Sequence, residues 1–262
     1  MTQVASEYER YQTSSIMKKL AAIAHGGNYR GQTSSATYEE IACRIQKMSL
    51  PPESRVLDAG CGNGAFSLPL ADHFSFQVEG VDLSPMLVQE AVTKADSANL
   101  ASKCHFFARD FTNLSNYPSA SFDLVLCIGS LYWGQPLVST LAAWHRITHP
   151  DNSWLLLFLN LLYKPLNQDE KSAVGVTQFV PVLSLEEELA KTGWAISEWS
   201  DGTEQYIAWL QRWCSAMKEM TDNIVVEMGE GAALQLIRRF TAYYNLAQRH
   251  AVRRIILKAE HV

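Results

Sequence analysis

What this chain lacks narrows its function before any motif is read. Its five cysteines (Cys43, Cys61, Cys104, Cys127 and Cys214) contain no Cys-x-x-Cys pair. That leaves neither a disulfide framework nor zinc-site spacing, and no metal is expected. No apolar run approaches a membrane span: the longest, residues 154–162, is broken by Asn160, where a span needs about 20 residues. The opening MTQVASEYERYQ has no apolar signal-peptide core, which points to a cytoplasmic protein with no membrane partner. Basic charge is not in excess. Lys and Arg number 22 against 27 Asp and Glu, a formal net charge of -5, and a nucleic-acid partner would ask for a basic surface. No internal repeat or low-complexity segment occurs.

What is present is an ordinary globular composition, 47% hydrophobic and 19% charged over 262 residues. That suffices for one buried domain, or one with a sizeable insertion. SIMKKLAAIA, residues 15–24, reads as a short amphipathic helix, followed by the loop HGGNYRGQTSS. A helical face of Tyr38, Ile41, Ile45 and Met48 runs from residue 35 and stops before Pro51-Pro52, because proline disfavours a helical residue before it. Strands and helices then alternate, with strands at 55–59, 76–81, 105–108, 122–128 and 154–160 and helices at 65–74, 85–98 and 136–147. Ser84-Pro85 is a good helix opening: serine caps orphan N–H groups and proline suits the first turn. Such alternation predicts a parallel sheet covered by helices on both faces. The rhythm then changes to a serine-capped helix at 184–191, a strand at 194–199, helices at 204–220 and 231–250, and a last strand at 253–259. The expectation is a doubly wound α/β domain with a helical insert before its final strand.

The chemistry gathers at strand ends. VLDAGCGNG, residues 56–64, follows the first strand and opens a helix, with Gly60, Gly62 and Gly64 alternating after Asp58. Glycine lets backbone approach a ligand closely, and a glycine turn between strand and helix is the context of a nucleotide loop. Asp82 ends the second strand in VEGVDLS, where an acid can accept from both hydroxyls of a ribose. Asp110 ends the third, in ARDFTNL, and the fourth strand reads FDLVLCIGSLYW. Together these resemble the class I S-adenosylmethionine-dependent methyltransferases of the small-molecule type. The competing reading is a Rossmann dehydrogenase or kinase-like loop whose glycines serve only the turn.

The resemblance covers residues 56–160 and implies a Rossmann-like, seven-stranded, mostly parallel sheet with helical lid elements at the N-terminus and before the last strand. It implies S-adenosylmethionine as cofactor and S-adenosylhomocysteine as product. Gly60, Cys61 and Gly62 would lie against the cofactor's amino-acid part, with Asp58 near its ammonium and Arg30 pairing with its carboxylate. Asp82 would hold the ribose, and Leu83 and Met86 would pack on the adenine. Asp110 would meet the adenine amino group, the Phe111 N–H a ring nitrogen, and the Cys127 carbonyl the methionine ammonium.

The acceptor is less marked. Enzymes acting on exocyclic base amines carry an Asn/Asp-Pro-Pro-aromatic motif after the fourth strand, whereas GSLYW, residues 129–133, has no proline. The segment resembles small-molecule enzymes with an aromatic or histidine there. Trp133 takes that place, with Tyr132 beside it. No histidine marks a general base, which favours an amine or activated carbon among nitrogen, oxygen and carbon acceptors reacting by in-line displacement. Tyr11, Tyr29 and Trp133 are the candidates for a catalytic role. Tyr206, Trp209 and Trp213 share a helix face and read either as core or as an aromatic wall for the acceptor. The expected division is a cap at residues 1–33 and a methyltransferase domain at 34–262, within which 203–250 is a substrate lid. The partner is a small-molecule acceptor and the chain a monomer or homodimer. Two alternatives stand: a tRNA- or protein-directed methyltransferase, and a catalytically inactive cofactor-binding sensor or partner subunit.

Overall fold

β1 (Arg55–Ala59) is buried at all but its first position, as a strand covered on both faces must be. The computed structural model describes residues 13–175 and 179–262, so Tyr11 lies outside the described residues. β1 runs parallel with β2 (Gln77–Asp82), β3 (Cys104–Ala108), β4 (Leu124–Ile128) and β5 (Trp154–Leu162). A two-residue β6 (Val180–Pro181) pairs with the end of β5. β7 (Trp194–Asp201) and β8 (Val252–His261) complete the sheet, with β8 antiparallel to both β5 and β7. The order β3-β2-β1-β4-β5-β8-β7 is the expected seven-stranded, mostly parallel sheet, with β6 as a short addition. Strand order reverses between β1 and β4, which opens a crevice beyond their carboxyl ends.

Ten described helices accompany the strands. They are α1 (Ser15–His25), α2 (Tyr38–Met48), α3 (Ser67–Phe74), α4 (Pro85–Ser97), α5 (Leu137–Ile147), α6 (Gln168–Val174), α7 (Val182–Lys191), α8 (Thr203–Glu219), α9 (Thr221–Met228) and α10 (Glu230–Gln248). α2 begins at Tyr38 rather than residue 35 because Thr37 and Glu40 form a reciprocal capping box. Ser84 caps α4 as expected, accepting from the Leu87 N–H at 3.3 Å. Ser184 does not cap α7, which starts earlier at Val182 with Pro181 at its N-cap and no side-chain cap. The reading from sequence missed α6, α9 and β6; at 7, 8 and 2 residues each is too short for periodicity to show.

Alternate strand residues face opposite ways. Leu57, Val125 and Leu157 enter one apolar core, and Val56, Leu126 and Leu156 the other. A third core belongs to α1 and the insert, where Leu20, Leu210, Met217, Leu236 and Leu246 pack together. The N-terminal helix and the insert thus bury their apolar faces mainly against each other, beside the open crevice.

Candidate active site

The crevice is built from the loops after β1, β2 and β4. Gly60, Gly62 and Gly64 have φ of 86°, 53° and 74°, a region that side-chain-bearing residues adopt only with strain. The Gly60 and Cys61 N–H groups donate to the Val81 carbonyl at 2.8 and 3.1 Å, tying the turn to β2. A Cβ on Gly60 would stand 2.4 Å from Ser130 Oγ, so the turn lies directly on the loop after β4. Asp82 is held by two backbone donors: Gly62 N–H to Oδ2 and Ser84 N–H to Oδ1, both at 2.9 Å. One acid therefore orients both the glycine turn and the start of α4.

Asp58 is buried and accepts from Ser67 Oγ at 2.5 Å. Burial pushes its carboxyl up to about 7, opposed by the Ser67 bond and assisted by the Asp82 charge. A buried carboxyl in this state suits a ligand that brings a cation. These groups border a cavity of about 330 Å³ that also takes in Leu83, Phe111, Ser130 and Trp133.

A second cavity of about 170 Å³ lies against the insert, walled by Tyr29, Tyr132, Tyr206, Trp209, Trp213, Phe240 and Tyr243. Gln32, Thr33, Ser34, Gly129 and Tyr132 line both cavities. His25 ties α1 to α8: its Nε2 accepts from Trp209 Nε1 at 3.0 Å, and its ring also bonds the Ser34 backbone. Burial, with Arg212 and Arg254 nearby, lowers His25 to about 4, so it is neutral at pH 7. Arg212 Nε donates to the Ala24 carbonyl at 2.6 Å, a second tie between α1 and α8.

With that geometry in view, comparison with known proteins is informative. A family model described as a methyltransferase domain matches residues 56–151, the stretch that carries the glycine turn, Asp82 and β4. Over those residues the chain is similar to the class I S-adenosylmethionine-dependent methyltransferases. An O-methyltransferase, resE, of Aspergillus sclerotiorum is 26% identical over 209 residues, covering 76% of this chain and 78% of its own. The S-adenosyl-L-methionine-dependent Diels-Alderase iccD of Talaromyces variabilis is 35% identical over 111 residues, covering 42% of this chain but only 38% of its own. The cyclopropane synthase MmaA2 of Mycobacterium tuberculosis has the same fold, with a TM-score of 0.78 at 17% identity over 95% of both chains.

In this chain, Asp58, Gly60, Cys61, Gly62, Asp82, Leu83 and Phe111 come together around the larger cavity, with Tyr132 and Trp133. Four expected contacts lie outside its lining. Cys127 is fully buried within β4. Met86 is 38% exposed on α4. Asp110 is exposed, its Oδ1 accepting from the Thr112 N–H and hydroxyl at 2.8 and 2.7 Å. Arg30 is also turned elsewhere, with its guanidinium 5.0 Å from the Tyr38 ring centroid. Cys61 is buried and its thiol pushed well above the ordinary value by that burial, so it is no nucleophile.

Tyr29, Tyr132, Tyr206 and Trp209 meet in the smaller cavity. The stripe of Tyr206, Trp209 and Trp213 is both core and wall, buried on α8 yet lining the chamber. Ser34, Gly129, Ser130 and Asn160 line the two cavities without having been singled out from sequence. A small residue pair directly after β4 was the one available signal.

Proposed function

We propose that this protein transfers the methyl group of S-adenosylmethionine to a small molecule held in the aromatic cavity. One observation carries the reading: the two cavities meet at Ser34, Gly129 and Tyr132. A group on the glycine turn and a molecule in the aromatic chamber would therefore face each other.

The residues fit the cofactor. The Gly60 turn keeps backbone bare where a side chain would already strike Ser130. Asp58 offers a buried carboxyl to an ammonium, and Asp82 lines the same cavity as the partner for ribose hydroxyls. Leu83, 49% exposed beside the cavity, gives an apolar face for the adenine. Phe111 gives another, anchored by Trp144 Nε1 donating to its carbonyl at 3.1 Å. When bound, S-adenosylmethionine supplies a sulfonium methyl already activated for in-line transfer. The chain's own contribution is orientation and exclusion of water. Residues 26–36 and α8 enclose the acceptor. Among the described residues no Asp, Glu or His lines its cavity. With neither carboxylate nor imidazole at hand, the chamber suits an attacking atom that is already nucleophilic, a neutral amine or an activated carbon.

Residues 1–33 act as the cap and 203–250 as the lid of a cytoplasmic enzyme that works as a monomer or homodimer. Incubation with methyl-labelled cofactor and a metabolite extract tests the reading. Label should enter a small molecule with stoichiometric S-adenosylhomocysteine; label found only in tRNA or protein would overturn it. A lining with no carboxylate or imidazole among the described residues, together with a relative named as a Diels-Alderase, also favours a second reading in which the cofactor is held and not consumed. Product formed without S-adenosylhomocysteine would select that reading.

A further inference from the structure

Asn160 interrupts an apolar strand: β5 reads WLLLFLNLL. The five residues before it are buried, whereas Asn160 is half-buried and lines the aromatic chamber. A carboxamide among leucines gives up hydration, a cost that hydrogen bonds must offset. The protein supplies little in return. Asn160 Nδ2 donates to the Tyr206 hydroxyl at 3.5 Å, beyond the usual range for such a bond. Its Oδ1 accepts from no described residue and keeps accessible surface, unlike the sealed indole N–H of Trp213. A carboxamide oxygen can only accept. What suits it is an N–H or O–H from a ligand.

Position and size narrow the occupant further. Asn160 lies at the carboxyl end of β5, opposite Arg254 on β8. Arg254 does not fill the role of donor, since both its terminal nitrogens are directed to Glu40 at 2.8 Å. Asn160 borders the aromatic chamber alone, whereas Gly129 and Tyr132 border both cavities. A group on Oδ1 is therefore held inside the chamber, while the methyl would arrive through the seam. The other walls include the rings of Tyr29, Tyr206, Trp209 and Phe240, which suit a flat apolar body. The volume of about 170 Å³ compares with an engineered apolar cavity of roughly 150 Å³ that takes one benzene. One ring with small substituents fits.

Resting on the methyltransferase reading, we propose that Asn160 is the specificity-determining residue of the acceptor chamber, its Oδ1 accepting an N–H or O–H from a single-ring acceptor of the phenol or aromatic-amine class. The donor group is a handle, distinct from the atom that takes the methyl. With the handle on Asn160, the far edge of the ring lies toward the seam at Gly129 and Tyr132. Asn160 positions the ring and takes no part in making or breaking bonds.

Phenol and anisole share a ring and an oxygen, but only phenol donates. Their binding to the S-adenosylhomocysteine-loaded protein would be measured by ligand-observed NMR for wild type, Asn160→Leu and Asn160→Asp. Leucine continues the apolar strand and removes the carboxamide; aspartate keeps an acceptor oxygen in the same place. The ratio of phenol to anisole affinity should fall roughly 3- to 10-fold in Asn160→Leu, the worth of one neutral hydrogen bond. Asn160→Asp should retain the wild-type ratio, and S-adenosylhomocysteine affinity should be unchanged in both variants. An unchanged ratio in Asn160→Leu overturns the assignment. A ratio that rises there makes the carboxamide a donor and overturns it equally. An equal fall in Asn160→Asp marks a merely structural role and overturns it too. Failure of the wild-type protein to bind either ring overturns the acceptor class, and that arm needs no variant. Failure of the wild-type protein to bind S-adenosylhomocysteine would instead count against the methyltransferase reading itself.

Discussion

Asp58 offers the most quantitative test of the cofactor site. Its carboxyl is raised from 3.8 to about 7, first by burial and then by the Asp82 charge, against the Ser67 bond. At about 1.4 kcal/mol for each pKa unit, ionising this group in the folded protein costs about 4 kcal/mol more than in the unfolded chain. Between pH 4 and pH 7 the native state binds more protons than the unfolded state. Asp58 therefore makes the ligand-free protein lose stability as pH rises from about 4 to about 7, with no further loss above that. Asp58→Asn keeps an acceptor for Ser67 Oγ and abolishes the ionisation. In urea denaturation the variant should show a flatter pH dependence, and at pH 8 it should be more stable than wild type by up to about 4 kcal/mol.

The same proton reports the ligand. If the ammonium of S-adenosylhomocysteine settles beside Asp58, binding draws the carboxyl into its charged form. Calorimetry at pH 6 in two buffers of different ionisation enthalpy should then detect proton release approaching one per site. Release should vanish above pH 8 and be missing in Asp58→Asn. Equal enthalpies in both buffers at pH 6, together with an unchanged stability slope in the variant, would refute the placement of this carboxyl at the ammonium.

Other perturbations have simpler outcomes. Asp82→Ala removes the acceptor of the Gly62 and Ser84 N–H groups along with the proposed ribose partner. S-adenosylhomocysteine affinity should fall by about 2–4 kcal/mol by calorimetry, and unchanged affinity would dismiss the ribose role. Gly60→Val puts a β-branched side chain at φ 86° with its Cβ 2.4 Å from Ser130 Oγ; cofactor binding should be lost, and normal binding would mean that this turn is not the cradle. Trp209→Phe deletes the donor to His25 Nε2, which should cost about 1 kcal/mol of stability and lower the melting temperature measurably. Leu210→Ala, at a fully buried position of the third core, should cost about 2–5 kcal/mol. Amide exchange should then speed up in α1 and α8 together while β4 and β5 stay protected, and α8 exchanging independently of α1 would show that cap and insert are not one unit.

How much of this was open to a reader of the sequence depends on how local each feature is. The glycine turn and Asp82 could be found because strand, turn and helix succeed one another within residues 55–97, and glycine meets the positive φ there without strain. The state of Asp58 could not be found, since its raised carboxyl depends on burial and on the Asp82 charge, against the bond from Ser67 at the start of the next helix. The four contacts that lie outside the cavity lining are side chains or carbonyls whose direction no spacing rule sets. Arg30, for example, lies over Tyr38. The acceptor chamber was least legible of all. Its walls come from residues as far apart as Tyr29, Tyr132, Trp213 and Tyr243, and they meet only because α1 and the insert bury their apolar faces on one another. Periodicity could not choose between core and wall for the α8 stripe because the residues do both. Trp213 stacks on Phe240 with ring centroids 4.6 Å apart, and both rings line the cavity. The shape of the chamber and the packing of α1 on the insert are therefore carried by the same side chains. A substitution that reshapes the chamber also loosens the core that closes it, and changing what the chamber admits will require a compensating repair in α1 or α10.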